Sequence, residues 1–205
     1  MKNLSSIPLA VLLCGSAIAT SVNAQIASTE NPDAKKKEYP AKKSSTNEQS
    51  FLERYYDLRN TYPALTDLHG YYAASSQTKG KFIERYNQIK AAYPNLKDAY
   101  GSYAGSEYTL ENFIKRYYEM KDTYPELTKY YTAYAGSNHV LVDFIKRYNE
   151  IKASASDLSE FYGDYAASNN PLSEFSARYY GVKASNTGMK NCFGEYAGST
   201  RKLSN

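Results

Sequence analysis

Five arginines recur at a spacing of 31 residues: Arg54, Arg85, Arg116, Arg147 and Arg178. A regular row of guanidinium groups can do two kinds of chemistry. It can form a cationic ladder that grips an anionic polymer, such as an acidic polysaccharide or a teichoic-type phosphate, through forked hydrogen bonds. Or each guanidinium can stack on a tyrosine of its own or the next repeat, or pair with a nearby acid, and serve the fold. The structural role is favoured. Tyrosine holds the next position in every copy: Tyr55, Tyr86, Tyr117, Tyr148 and Tyr179. One position further on, Tyr56, Asn87, Tyr118, Asn149 and Tyr180 alternate. Evenly spaced exposed rings and amides suit sugar stacking and hydrogen bonding, while duplication of a two-repeat unit would leave the same alternation. These ten residues form the candidate ligand-binding set.

Other reactive side chains are placed by register. Counting each repeat from its phenylalanine, His69 takes position 19, held elsewhere by Tyr100, Tyr131, Tyr162 and Phe193, and reads as a packing residue. His139 falls in the loop between repeats and has no counterpart. Neither histidine has a second His or Cys at metal-ligand spacing, so neither metal nor cofactor is expected. Cys192 replaces Leu68, Ala99, Tyr130 and Phe161 at position 18, which suggests a buried, inert thiol; the alternative is an intermolecular disulfide. No nucleophile elbow, phosphate loop or HExxH motif is present. Hydrolysis of a polysaccharide by carboxylates would need two acids converging on one cleft, whereas the acids here scatter over polar faces. The expectation is a protein that is not an enzyme.

What positions these rows is the repeat itself. The units 51–81, 82–112, 113–143, 144–174 and 175–205 align without a gap. In the third, Leu110, Phe113, Ile114, Tyr117, Met120 and Tyr124 form a stripe of helical period, and Leu127, Tyr130, Tyr131 and Tyr134 form a second. Pro125 separates them and is expected in the first turn of the second helix. Gly136 is available for a left-handed helix end, with Ser137 or Asn138 as the next N-cap. One such hairpin cannot bury its apolar face, but stacked copies can. The reading is therefore all-α: an α-solenoid of five helix-turn-helix repeats, an open array on the order of 50 Å long. Its degenerate ends, Gly80-Lys81 in the first repeat and Asn186-Thr187-Gly188 in the last, read as polar caps. The hairpin resembles tetratricopeptide-like helix pairs in general architecture. However, that repeat is about 34 residues long and carries a Trp/Leu-Gly pattern that is missing here, so no membership follows.

The N-terminal region sets the compartment. Lys2, an apolar stretch over Ile7–Ala19 and the small-x-small site Val22-Asn23-Ala24 read as a signal peptide over residues 1–24. Leu13 disfavours lipidation at Cys14, and the apolar stretch is too short for a stable membrane anchor. Residues 25–50 are polar, with two prolines and two lysine clusters, and read as a disordered basic linker. Removing the leader lowers the net charge from +4 to +3 and leaves a single cysteine, Cys192. So mild a charge is not the footprint of a nucleic-acid binder. Of 23 tyrosines 22 lie in the repeats, with no tryptophan to share the aromatic packing. Together these features predict an exported, non-enzymatic binding or scaffolding module at the cell envelope or in an extracellular matrix. Its partner would be a protein, a polysaccharide or a second copy of itself.

Overall fold

The computed structural model describes residues 49–204; the expected signal peptide and nearly all of the expected linker lie outside the described residues. The described chain is all-helical, with long and short helices in adjacent pairs. The long members are α1 (Phe51–Thr61), α3 (Lys79–Ala92), α5 (Leu110–Thr123), α7 (Leu141–Ser154) and α9 (Leu172–Ser185). The short members are α2 (His69–Ala74), α4 (Tyr100–Gly105), α6 (Tyr131–Gly136), α8 (Tyr162–Ala167) and α10 (Phe193–Gly198).

The third pair shows why these residues make these elements. The Thr109 hydroxyl accepts from Asn112 N at 3.3 Å and starts α5, whose buried face is Phe113, Ile114 and Met120. The helix stops at Tyr124, which turns to φ −133° ahead of Pro125 while its N–H still donates to Met120 O at 2.8 Å. Pro125 does not open the next helix. It lies in a turn, a 3₁₀ turn follows over Thr128–Tyr130, and only then does α6 begin. Nor does Gly136 adopt a left-handed conformation. It closes α6, and the extended Ser137 terminates the helix, its hydroxyl donating to Tyr134 O at 2.9 Å. Ser137 is thereby spent on α6. The next N-cap is Val140, with no side-chain cap at all.

Packing differs from the expected open array in one respect. Each long helix packs on its short partner, and the short helices touch in the order α2, α4, α6, α8, α10; α10 then packs on α2. The series has no free end. An edge-on ring contact repeats at every junction: Tyr72–Phe82, Tyr103–Phe113, Tyr134–Phe144 and Tyr165–Phe175, with centroids 5.3–5.4 Å apart. The seam repeats it as Tyr196–Phe51 at 5.3 Å. There the backbone also joins, Phe51 N donating to Lys202 O at 2.9 Å and Leu52 N to Leu203 O at 3.0 Å. The chain of paired helices thus returns to its start. The last repeat is therefore no solvent-facing cap; Phe193, Tyr196 and Ala197 are buried.

Glycines at position 20 permit the close approach of the short helices. A Cβ on Gly101 would lie 2.3 Å from Tyr71 Cδ2, and one on Gly194 1.9 Å from Asp164 Oδ2. Tyr71 and Asp164 both stand at position 21 of the preceding repeat, so this column faces inward, toward the axis of the closed series.

Candidate functional site

The arginine column turns inward. Arg54 Nη2 donates to Tyr72 O at 3.0 Å and to Gln77 O at 2.6 Å. Arg85 repeats this with Tyr103 O and Tyr108 O (2.8 and 2.7 Å), and Arg116 with Tyr134 O and His139 O (2.9 and 2.6 Å). Arg147 binds Tyr165 O and Asn170 O (3.1 and 2.7 Å), and Arg178 binds Tyr196 O and Arg201 O (3.0 and 2.6 Å). All five guanidinium carbons sit 4.1–4.3 Å from the ring of the position-22 tyrosine. Each cation thus stacks on a ring of its own repeat and clamps the carbonyls at the C-terminus of a short helix, the negative end of its dipole. Arg54 is completely buried, and that burial lowers its pKa to about 10. Arg54 and Arg85 are buried and so offer no surface to a polymer, while Arg116, Arg147 and Arg178 are partly buried with their donors spent on carbonyls.

A second set of contacts links neighbouring repeats through position 27. Gln77 Nε2 donates to Ser106 O at 2.8 Å, and Asn170 Nδ2 to Ser199 O at 3.0 Å. His139 Nε2 lies 2.7 Å from Ser168 O. A carbonyl only accepts, so this nitrogen carries the proton. Across the seam Arg201 Nη2 donates to Ser75 O at 2.8 Å. His139, which has no sequence counterpart, therefore has structural ones: four dissimilar side chains do one job. His69 is buried against Tyr55, with Nε2 3.0 Å from Tyr62 O.

The position-6 row faces outward. Tyr56, Tyr118 and Tyr180 are 42–45% exposed, and Asn87 and Asn149 are exposed between them. Arg59 lies 5.9 Å from the Tyr56 ring and Lys121 5.4 Å from the Tyr118 ring, so two of the rings carry an adjacent cation. Closure breaks the alternation, because an odd number of repeats brings Tyr180 and Tyr56 into neighbouring repeats.

The inner column holds what sequence reasoning missed. Position 21 reads Tyr71, Ser102, Ala133, Asp164 and Glu195, and all five line a cavity of about 240 Å³ with the small residues of positions 24 and 25. A second cavity, of about 660 Å³, opens toward the N-terminal ends of the short helices, past Lys129, Tyr130, Glu160 and Phe161. Tyr71, Ala133, Asp164 and Glu195 border both, so the two acids stand where the cavities meet. Both acids are partly buried, and each keeps some surface toward the cavities. Burial raises both pKa values, and the Asp164 charge raises that of Glu195 further. Among the described residues neither carboxylate has an ion-pair or hydrogen-bond partner in another residue. The available signal was the small side chains at positions 20 and 24, which mark the crowded face of the short helix.

Cys192 is buried, and burial with Glu195 nearby pushes its thiol up to about 12, which keeps it protonated and unreactive. No group of three or more His, Cys, Asp or Glu that could hold a metal ion occurs among the described residues. Nor is any helix there long and apolar enough to cross a membrane. No family model, curated protein or solved structure matches the chain.

Two outcomes follow. Arg116→Ala strands the carbonyls of Tyr134 and His139, and a urea melt should show a loss of about 3 kcal/mol, little of it recovered by Arg116→Lys, which lacks the planar fork. A change within about 0.5 kcal/mol would mean that the clamp holds nothing. The acids give a pH dependence. Their folded pKa values, about 7 and about 8, lie above the unfolded ones, so the folded state holds protons that the unfolded state releases. Stability is then full below about pH 4, falls as pH rises, and levels off once the pair is ionised above about 8. The other groups facing the pair are Tyr71 and Cys192, which titrate higher, with Lys129 and Glu160 at the rim. Melting temperature followed from pH 5 to 9 should decline in the wild type (a window set by these pKa values) and stay nearly flat in Asp164→Asn/Glu195→Gln. A parallel decline in both would remove the acids as its cause.

Proposed function

We propose that this protein is an exported, non-enzymatic binding module: a five-repeat helical scaffold whose outer helices present a row of tyrosines and amides to a partner outside the cytoplasm. The observation that carries this reading is the selective exposure of Tyr56, Tyr118 and Tyr180. Among the described residues these are the only tyrosines exposed as large hydrophobic side chains, and all three occupy position 6. A ring with an apolar face and a polar tip is suited to stack on a sugar or to anchor a protein contact. The cations beside Tyr56 and Tyr118 favour a partner carrying negative charge, such as an acidic matrix polysaccharide. The guanidinium column contributes rigidity to this surface, and the contacts are assigned to position 6. Export rests on the leader-like residues 1–24.

The non-enzymatic reading draws support from the seat of two acids that share a cavity. Asp164 and Glu195 stand on the inner face of the short helices, whereas hydrolysis of a glycan needs a chain laid between two carboxyls in a long accessible cleft. The test is a binding screen of the mature protein against purified envelope and matrix polysaccharides, with Tyr56→Ala/Tyr118→Ala/Tyr180→Ala as the control. Binding weakened at least tenfold in the triple variant, with melting temperature unchanged, is the expected result; a tenfold loss corresponds to about 1.4 kcal/mol, within reach of a single aromatic contact. Undiminished binding by the triple variant would remove the row from the interface. If a cell extract instead yields a protein partner lost in the same variant, the row is a protein-docking face.

A further inference from the structure

The axial acids are used neither by the arginine clamps nor by the outer row. Burying two carboxylates without a cation is costly, and natural structures pair or bind such groups. Tyr71 adds an independent observation. It is partly buried, borders both cavities, and its hydroxyl has no hydrogen-bonding partner among the described residues. Three acceptor groups therefore border the same place, and the approach to it is aromatic: Tyr130, Phe161 and Tyr162 line the larger cavity together with Tyr71. The nearby serine hydroxyls are already engaged, as Ser168 Oγ donates to Tyr165 O at 2.9 Å and accepts from Arg147 at 3.2 Å. The cavity volume of about 660 Å³ falls within the range of small-molecule sites.

We infer that this axial site binds the primary ammonium group of a small organic amine. Its three N–H donors meet the Asp164 and Glu195 carboxylates and the Tyr71 oxygen, and its carbon stem lies between the rings of the larger cavity. The donor count fits an ammonium, which has three donors and no acceptor. Aromatic walls favour an organic cation over a hydrated metal ion, since ring faces attract a cation once its water is shed. A hard metal ion wants six or more oxygens, and with at most five offered by the two carboxylates and Tyr71 it would have to complete its shell with water.

Thermal melts of the mature chain at pH 8, with n-butylamine hydrochloride against sodium chloride and calcium chloride at matched ionic strength, test this. With amine about a hundredfold above its Kd, melting temperature should rise by about 5–10 °C. Sodium chloride should give no such rise. Asp164→Asn/Glu195→Gln should abolish the shift and Tyr71→Phe should reduce it. The double variant removes two buried charges and is expected to fold at least as well as the wild type, so loss of the shift reports binding. No amine shift beyond that of sodium chloride, an equal shift in the double variant, or a larger shift with calcium chloride would each overturn the assignment. The position-6 triple variant should respond to amine as the wild type does, so failure here is distinguishable from failure of the outer face.

Discussion

The inner helices are only six residues long, and everything else in the protein answers that shortness. A helix of that length cannot stand alone in water, because most of its terminal carbonyls lack an intrahelical partner and nucleation is unfavourable. The arginine of position 4 supplies the missing donors. It binds the carbonyl of the last turn and the loop beyond, and its plane rests on the position-22 ring. That ring in turn packs edge-on against the phenylalanine that opens the next repeat. One side chain thus couples the end of a short helix, the loop after it and the junction with its neighbour. The arginine, tyrosine and phenylalanine that take part never vary among the five copies, and neither do the alanine and the serine at positions 23 and 25.

Closure completes what the clamp begins. An open series would leave the inner face of α2 bare at one end and that of α10 at the other. Instead Tyr196 meets Phe51, Arg201 reaches Ser75, and backbone bonds join Phe51 to Lys202. The seam repeats the ring contact of the other four junctions and a position-27 bond like that at three of them. Closure also creates an interior. Position 21, which in a straight array would be one more lateral position, becomes the lining of an axial cavity where substitution in a single repeat sets the chemistry.

Much of this was legible in the sequence. The register at 31 residues gives the helix pairs, the core columns and the packing of His69 and Cys192, because buried positions tolerate few side chains. The arginines could be seen to prefer a tyrosine, but not to seek backbone carbonyls, since a sequence does not show which helix ends are short of donors. Pro125 misled about the start of α6, because a 3₁₀ turn consumes the next residues before an α-helix forms. His139, Gln77, Asn170 and Arg201 share no chemical class beyond a reachable donor, so their common role could not be read from residue type. Asp164 and Glu195 were hidden by a different route: periodicity shows which residues share a face, but not whether that face curves far enough to close on itself.

Two surfaces result, with different chemistry. The outer row of rings and amides is open to a large partner, and the axial site is enclosed and acidic. The axial site depends on the series being closed, and that is the claim to test most directly. Amide hydrogen exchange resolved by helix does so, since fraying ends exchange at low opening free energy while interior units approach the global value. Closure predicts that α2 and α10 are protected as well as α4, α6 and α8. Exchange in α2 and α10 that runs markedly faster than in the middle three would mean an array with two free ends, and would contradict the account.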